Sequence, residues 1–189
     1  MIKIGILGDI GSGKSYVAKN FGYPVFSADE EVGKLYKRNK RIFIKLKKVL
    51  PKFIYSFPIN KNEIINAIFA NKINLKKITK IIHSEIRKEM NKFLKKHINK
   101  KIVILDIPLL LENKINKKGD ILIFVKSKKK DILRRLKKRN NFNYELLKKF
   151  KKIQFSLDYK VKKSNFIIKN NFTKKSVNEG IKNILKEVK

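Results

Sequence analysis

The stretch Gly8-Asp9-Ile10-Gly11-Ser12-Gly13-Lys14-Ser15 constrains this chain more than any other part of it. It is a G-x-x-x-x-G-K-[ST] phosphate loop. The apolar run Ile2-Lys3-Ile4-Gly5-Ile6-Leu7 before it reads as a buried parallel strand. Tyr16-Val17-Ala18-Lys19-Asn20-Phe21 after it suits a helix packed on that strand. Strand, loop and helix together are the context the motif requires, and they weigh against a chance glycine-rich turn. The glycines let main-chain N–H groups approach phosphate oxygens, and the helix N-terminus adds a partial positive charge. Lys14 can reach the β- and γ-phosphates, and the Ser15 hydroxyl can ligate Mg²⁺. The expected nucleotide contacts are therefore Gly8, Gly11, Ser12, Gly13, Lys14, Ser15 and Tyr16.

The length of 189 residues suits one domain with a helical insertion. The chain has no cysteine, which excludes disulfides, thiolate metal sites and cysteine nucleophiles. No apolar stretch approaches the ~20 residues of a membrane span. Met1-Ile2-Lys3-Ile4 already reads as strand and not as a signal peptide, so a cytoplasmic protein is expected.

The net charge of +34 invites a nucleic-acid reading. However, the cations are 43 Lys against 6 Arg, and they are spread along the whole chain. Base readout and phosphate forks favour Arg. Lys, Ile and Asn share A/T-rich codons, so the composition can follow from base bias. A solvated Lys-coated surface is the simpler reading, and it still makes binding of anions salt-sensitive.

A strand-then-helix rhythm fills the rest of the core. Lys101–Asp106, Asp120–Val125 and Asn165–Ile168 read as strands, and Pro24–Ser27 as a further short one. Helices are expected over about 128–139, from Ile132, Leu133 and Leu136, and near the C-terminus, from Val177, Ile181, Ile184 and Leu185. The expected fold is α/β: a three-layer, doubly wound parallel sheet of about five strands. Between Ala28 and Asn99 no strand is evident. Leu75, Ile78, Ile82, Ile86, Met90 and Phe93 recur at helical steps there. A helical substrate-binding region over about 30–99 is expected, with a lid over about 134–160.

Four further positions carry candidate chemistry. Asp29 follows a strand, where ligands gather in an open parallel sheet, and could take a proton from an acceptor hydroxyl. Equally, it could cap a helix over Glu30–Tyr36. Asp106 closes an apolar strand in a Walker-B-like pattern, in which a carboxylate holds Mg²⁺ directly or through water. Arg134, Arg135 and Arg139 sit within six residues, ahead of the polar stretch Asn140-Asn141-Phe142-Asn143-Tyr144, and read as an Arg-bearing helix leading into a mobile loop, a lid, against the alternative of an ordinary solvated helix face. His83 lies on the long helix, where a packing role competes with a functional one.

In order, these residues resemble the dephospho-coenzyme A kinase family. The likeness rests on the phosphate loop, then Ser27-Ala28-Asp29, where the family usually has Asp-Ala-Asp, and Ile82-His83-Ser84, where it has a His-Pro pair. It continues through Asp106-Ile107-Pro108-Leu109-Leu110-Leu111-Glu112, close to the family's Pro-Leu-Leu-Phe-Glu, then Arg135–Arg139, Gln154 and Ser164–Asn170. The resemblance implies transfer of the ATP γ-phosphate to the ribose 3′-hydroxyl of dephospho-coenzyme A, with ATP and Mg²⁺ required. It makes Asp29 the catalytic base, with Lys14 and Arg135 as its catalytic partners. It also places Arg139 at the nucleotide, His83 and Gln154 at the acceptor, and Ser15 and Asp106 at the metal.

The chain departs from the family at Asp9, which replaces a loop glycine and would repel phosphates unless it points away or meets a cation. It departs again at Ser27, at Ser84, and at Lys160, where an Arg is usual near Gln154. The competing readings are another small P-loop nucleotide or nucleoside kinase, a nucleic-acid-binding protein with a nucleotide site, and a kinase degenerate through Asp9 and Ser27.

Overall fold

A computed structural model describes residues 1–139 and 142–188, in two compact units. One holds Met1–Ser27 and His97–Lys189, the other Ala28–Lys96. In chain order the first contributes β1 (Ile2–Gly8), α1 (Lys14–Asn20) and β2 (Val25–Ser27). The second follows with α2 (Ala28–Arg38), α3 (Lys40–Val49), α4 (Lys61–Ala70) and α5 (Lys72–Lys96). The first unit resumes with β3 (Ile102–Asp106), β4 (Ile121–Lys126), α6 (Lys129–Lys137), α7 (Tyr144–Lys152), α8 (Leu157–Lys162), β5 (Phe166–Lys169) and α9 (Lys174–Val188).

Among the described residues the sheet has five strands in the order β2-β3-β1-β4-β5, all parallel. This is the expected α/β architecture. Isoleucine and valine dominate its strands because they pack well on a pleated surface buried on both sides. Ile4, Ile6, Ile102, Ile104, Ile123, Val125 and Ile168 form one core with Val17, Ala18 and Phe21 of α1 and Val177, Ile181 and Ile184 of α9. The α9 residues recur at four- and three-residue steps, which puts them on one helix face. Truncating Ile181 to Ala would cost ~2–5 kcal/mol by the usual cavity and transfer terms. On the other side of β1, Gly5 lets Leu110 and Leu122 close in, since a Cβ there would stand 2.9 Å from Leu122 Cδ2.

The second unit is helical, as its apolar steps predict. The expected helix through Leu75–Phe93 is α5, 25 residues long, with Ile78, Ile82 and Ile86 buried along one side. The buried Glu63 carboxylate ties the chain before α4 down, accepting from the N–H groups of Tyr55 at 3.0 Å and Ser56 at 3.4 Å and from the Ser56 hydroxyl.

Three local expectations need correction. Asp29 is not a cap: α2 begins at Ala28, so Asp29 lies inside its first turn with Glu30 and Glu31. Arg139 stands beyond the end of α6, which closes at Lys137. The stretch after it is not all loop, for α7 starts at Tyr144, with the Asn143 side chain capping it by accepting from Leu146 N. Asn140 and Asn141, also assigned to the expected lid, lie outside the described residues.

Candidate active site

The phosphate loop joins β1 to α1 and is pinned from two sides. The Ser12 carbonyl accepts from Ser127 Oγ at 2.9 Å and from the buried Asn170 Nδ2 at 2.9 Å. A peptide unit is planar and trans, so the Gly13 N–H points opposite to the Ser12 carbonyl, away from these partners. Gly13 has φ +91°, and a Cβ on it would stand 2.4 Å from Asn170 Nδ2. At Gly8, with φ +147°, a Cβ would meet the Val125 carbonyl at 2.8 Å. Only glycine fits either position, which leaves bare backbone for a close-approaching ligand.

Lys14 folds back over this loop, its Nζ donating to the carbonyls of Asp9 at 2.8 Å and Gly8 at 3.3 Å. Asp9 does meet a cation. Its Oδ1 accepts from the Ile10 N–H at 2.7 Å, and its Oδ2 lies 3.6 Å from Lys151 Nζ on α7. Lys129, Lys148, Lys151 and Tyr144 line a cleft with Asp9, floored by Ile132 and Leu147. Ser15 and Tyr16 are exposed on the first turn of α1.

Asp106 is the last residue of β3, buried, and it pairs in register with Ser27 at the end of β2. Both stand at the carboxyl edge of the sheet, where ligands of open parallel sheets bind. The Ser15 hydroxyl and the Asp106 carboxylate are groups of the kind that suit Mg²⁺, which keeps several waters and takes its other ligands from substrate phosphates. The bare glycine backbone and the Lys14 ammonium likewise suit a triphosphate.

The arginines separate. Arg134 turns back along α6 to Asp131, at 3.1 Å. Arg135 instead lays its guanidinium over the Phe172 ring, 4.4 Å from its centroid. Gln154 Oε1 accepts from Lys160 Nζ at 3.3 Å, and the buried Lys160 is paired with Glu112 at 2.9 Å. Glu112 Oε1 also accepts from Phe155 N at 2.9 Å. These bonds tie the segment after β3 to the segment between α7 and α8.

Asp29 and His83 belong to the helical unit, Asp29 exposed and His83 half-buried on α5. Burial first, and the Arg87 guanidinium second, hold His83 below its ordinary pKa of 6.5. The imidazole is therefore neutral at pH 7.

The dephospho-CoA kinase family model, CoaE, matches residues 2–176, which takes in every candidate residue named so far. The chain belongs to the dephospho-CoA kinase family. It is 36% identical over 127 residues to the dephospho-CoA kinase of Wolbachia sp. subsp. Brugia malayi (strain TRS), an alignment covering 65% of each protein. The chain thus spans about two thirds of the length of such curated relatives. Its fold matches a crystal structure from Thermus thermophilus, with a TM-score of 0.80 at 24% identity over 100% of this chain and 98% of that one. It also matches a dephospho-CoA kinase from Campylobacter jejuni, with a TM-score of 0.66 at 22% identity over 98% and 96%. Among the described residues no helix is long and apolar enough to cross a membrane.

Glu112 and Asn170 lie in segments that carry the family resemblance but gain no role from the sequence, and Ser127 and Phe172 are not singled out by it at all. The available signal is position: Ser127 and Asn170 each stand directly after a parallel strand, on the ligand edge.

Proposed function

We propose that this chain transfers the γ-phosphoryl group of ATP to the ribose 3′-hydroxyl of dephospho-coenzyme A, giving coenzyme A and ADP. The observation that carries the reading is the glycine cradle under Lys14, set in a chain that the kinase family model matches from residue 2 to 176.

The loop N–H groups and Lys14 hold the triphosphate. Lys14 leaves the Gly8 and Asp9 carbonyls when phosphate oxygens replace them, and neutralises charge on the β- and γ-phosphates. Ser15 and Asp106 would hold Mg²⁺, which supplies charge neutralisation between those phosphates when bound. Asp29 orients the 3′-hydroxyl and accepts its proton as the oxygen attacks phosphorus. The bond from γ-phosphorus to the β–γ bridging oxygen breaks, and ADP leaves. Arg135 and Arg139 face the transferring group from a lid over about 134–160, which excludes water that would otherwise hydrolyse ATP. Region 30–99 binds the acceptor, with His83, neutral at pH 7, and Gln154 as contacts. The location is cytoplasmic.

An acceptor screen tests this reading. With ATP and Mg²⁺, mass detection should show coenzyme A formed from dephospho-coenzyme A and no phosphorylation of nucleoside monophosphates. The reverse pattern would reassign the chain to another kinase specificity.

A further inference from the structure

Between Glu31 and Glu63 the chain carries Lys and Arg but no carboxylate. Glu63 does not offset them at the surface. Its side chain is buried and accepts from Tyr55 N, Ser56 N and the Ser56 hydroxyl. Those bonds, with Leu50, Ile54 and Ile59 buried, fix the loop after α3. Ser56 turns in to Glu63, and Tyr55 and Phe57 on either side of it are exposed, Tyr55 by 68%. α3 buries Ile42 and Leu46, so its opposite side faces solvent. Ile44 stands at the middle of that side, 62% exposed. Lys40 and Lys48 lie one turn before and after it, and Arg41 and Lys47 at three-residue steps, all four exposed. At the edge, the Phe43 and Phe57 rings meet with centroids 5.6 Å apart, and Lys47 Nζ stands 5.6 Å from the Phe43 centroid.

An apolar tip ringed by long cationic side chains matches the boundary layer of an anionic bilayer. Aliphatic and aromatic groups enter at headgroup depth there, while Lys and Arg extend along them to reach phosphates. We propose that the outward side of α3, with the loop bearing Tyr55 and Phe57, seats this chain on the surface of anionic phospholipid membranes. The contact lies on the membrane and does not span it, since α3 spends Ile42 and Leu46 on its own core. Charge and shape favour lipid over nucleic acid. Around Ile44 the cations are three Lys and one Arg, point charges suited to a diffuse sheet of phosphates, whereas base readout uses planar Arg forks. Base stacking also needs open ring faces, but Phe43 and Phe57 turn to each other and Lys47 covers Phe43. The residue at the centre, Ile44, has no ring. The inference is independent of the phosphate loop and its nucleotide.

The test is vesicle flotation of the whole chain at physiological ionic strength. Vesicles of phosphatidylcholine alone are compared with vesicles of equal parts phosphatidylcholine and phosphatidylglycerol. The wild type should float with the anionic vesicles and not with the neutral ones. I44S/Y55S, which keeps every charge, should weaken that binding about tenfold, as loss of buried apolar side chains predicts. K40Q/R41Q/K48Q should weaken it by about tenfold or more. The control K175Q/K182Q/K186Q, on α9, lowers the net charge of +34 by the same three units and should bind within about twofold of wild type. All these side chains are exposed, so the variants keep the fold. The chain has no tryptophan, so I44W places a single indole at the centre of the face. Its emission should shift to shorter wavelength on anionic vesicles. Equal loss in the two triple variants would mean diffuse charge alone and overturns the inference. So does unchanged binding of I44S/Y55S, or an I44W emission that vesicles leave unmoved. Tighter binding to single-stranded RNA than to anionic vesicles, lost in I44S/Y55S, assigns the face to nucleic acid and overturns it as well.

Discussion

Lys151 Nζ, on α7, lies 3.6 Å from Asp9 Oδ2 on the phosphate loop. The pair explains how this loop tolerates a carboxylate where its family usually has glycine. Asp9 also accepts from the Ile10 N–H, so its charge is held against the loop backbone and balanced from α7. The Lys151 side chain is 47% exposed, so solvent screens the pair and its share of fold stability is small.

Its effect belongs in binding. Removing Lys151 leaves Asp9 to repel phosphate oxygens, worth about 1 kcal/mol or fivefold in affinity at low salt. K151M should weaken ATP by about that factor in calorimetry without moving the melting midpoint. The double variant D9G/K151M should recover the loss. A double variant as weak as K151M would mean that Lys151 acts on the nucleotide and not through Asp9.

Asn170 makes a buried hydrogen bond to the Ser12 carbonyl and accepts a half-buried one from Phe172 N. N170A removes both and should cost ~1–3 kcal/mol. The melting midpoint should drop by about 2–4 °C for each kcal/mol. Ser127 still holds the Ser12 carbonyl, so the chain should fold. Calorimetry and a thermal melt on one sample check both the loss of stability and the loss of ATP affinity.

Lys160 and Glu112 form a buried pair, their side chains 2% and 9% exposed. K160M would leave the Glu112 carboxylate buried and unpaired, a loss of ~3–5 kcal/mol. The double variant E112L/K160M should be far less destabilised, because it leaves no lone charge. Urea unfolding distinguishes the two. Equal stability of K160M and the wild type would show that the pair contributes nothing.

His83 gives a pH dependence of known sign. Its folded pKa lies below 6.5 because burial disfavours the imidazolium, with Arg87 adding repulsion. Below pH 6.5 the unfolded chain takes up a proton that the folded chain resists. This contribution to stability is therefore fully present above pH 6.5 and is lost as pH drops from 6.5 towards the lowered folded value. Urea midpoints at pH 5.5 and 7.5 should differ less in H83N than in the wild type. Proton NMR should show the imidazole titrating below 6.5.

The parallel strands, the phosphate loop and the long helix α5 are legible in the sequence because each is a local pattern with one physical period. Asp29 reads equally as cap or as site from the sequence, and the structure removes the cap, because α2 begins one residue earlier, at Ala28. α7 is harder to see because it buries little of its own surface. Leu147 is its buried anchor, and its partners Ile132 and Leu136 lie on another helix. The Asn170–Ser12 bond spans 158 positions and the Glu112–Lys160 pair joins two segments far apart in the chain, so neither leaves a periodic trace. Phe172 is invisible for another reason: its position after β5 is legible, but neither its positive φ nor the bond its N–H donates to Asn170 leaves a pattern in the residues around it.

The central claim is that Lys14 and its loop present a triphosphate to a ribose hydroxyl. It is tested most directly by phosphorus NMR and mass analysis of the product formed from dephospho-coenzyme A, ATP and Mg²⁺, with K14A and a chelator as controls. The account predicts one added phosphoryl group on the 3′-oxygen, lost in K14A and on chelation. Phosphorylation at another hydroxyl, or turnover that K14A leaves unchanged, would contradict it.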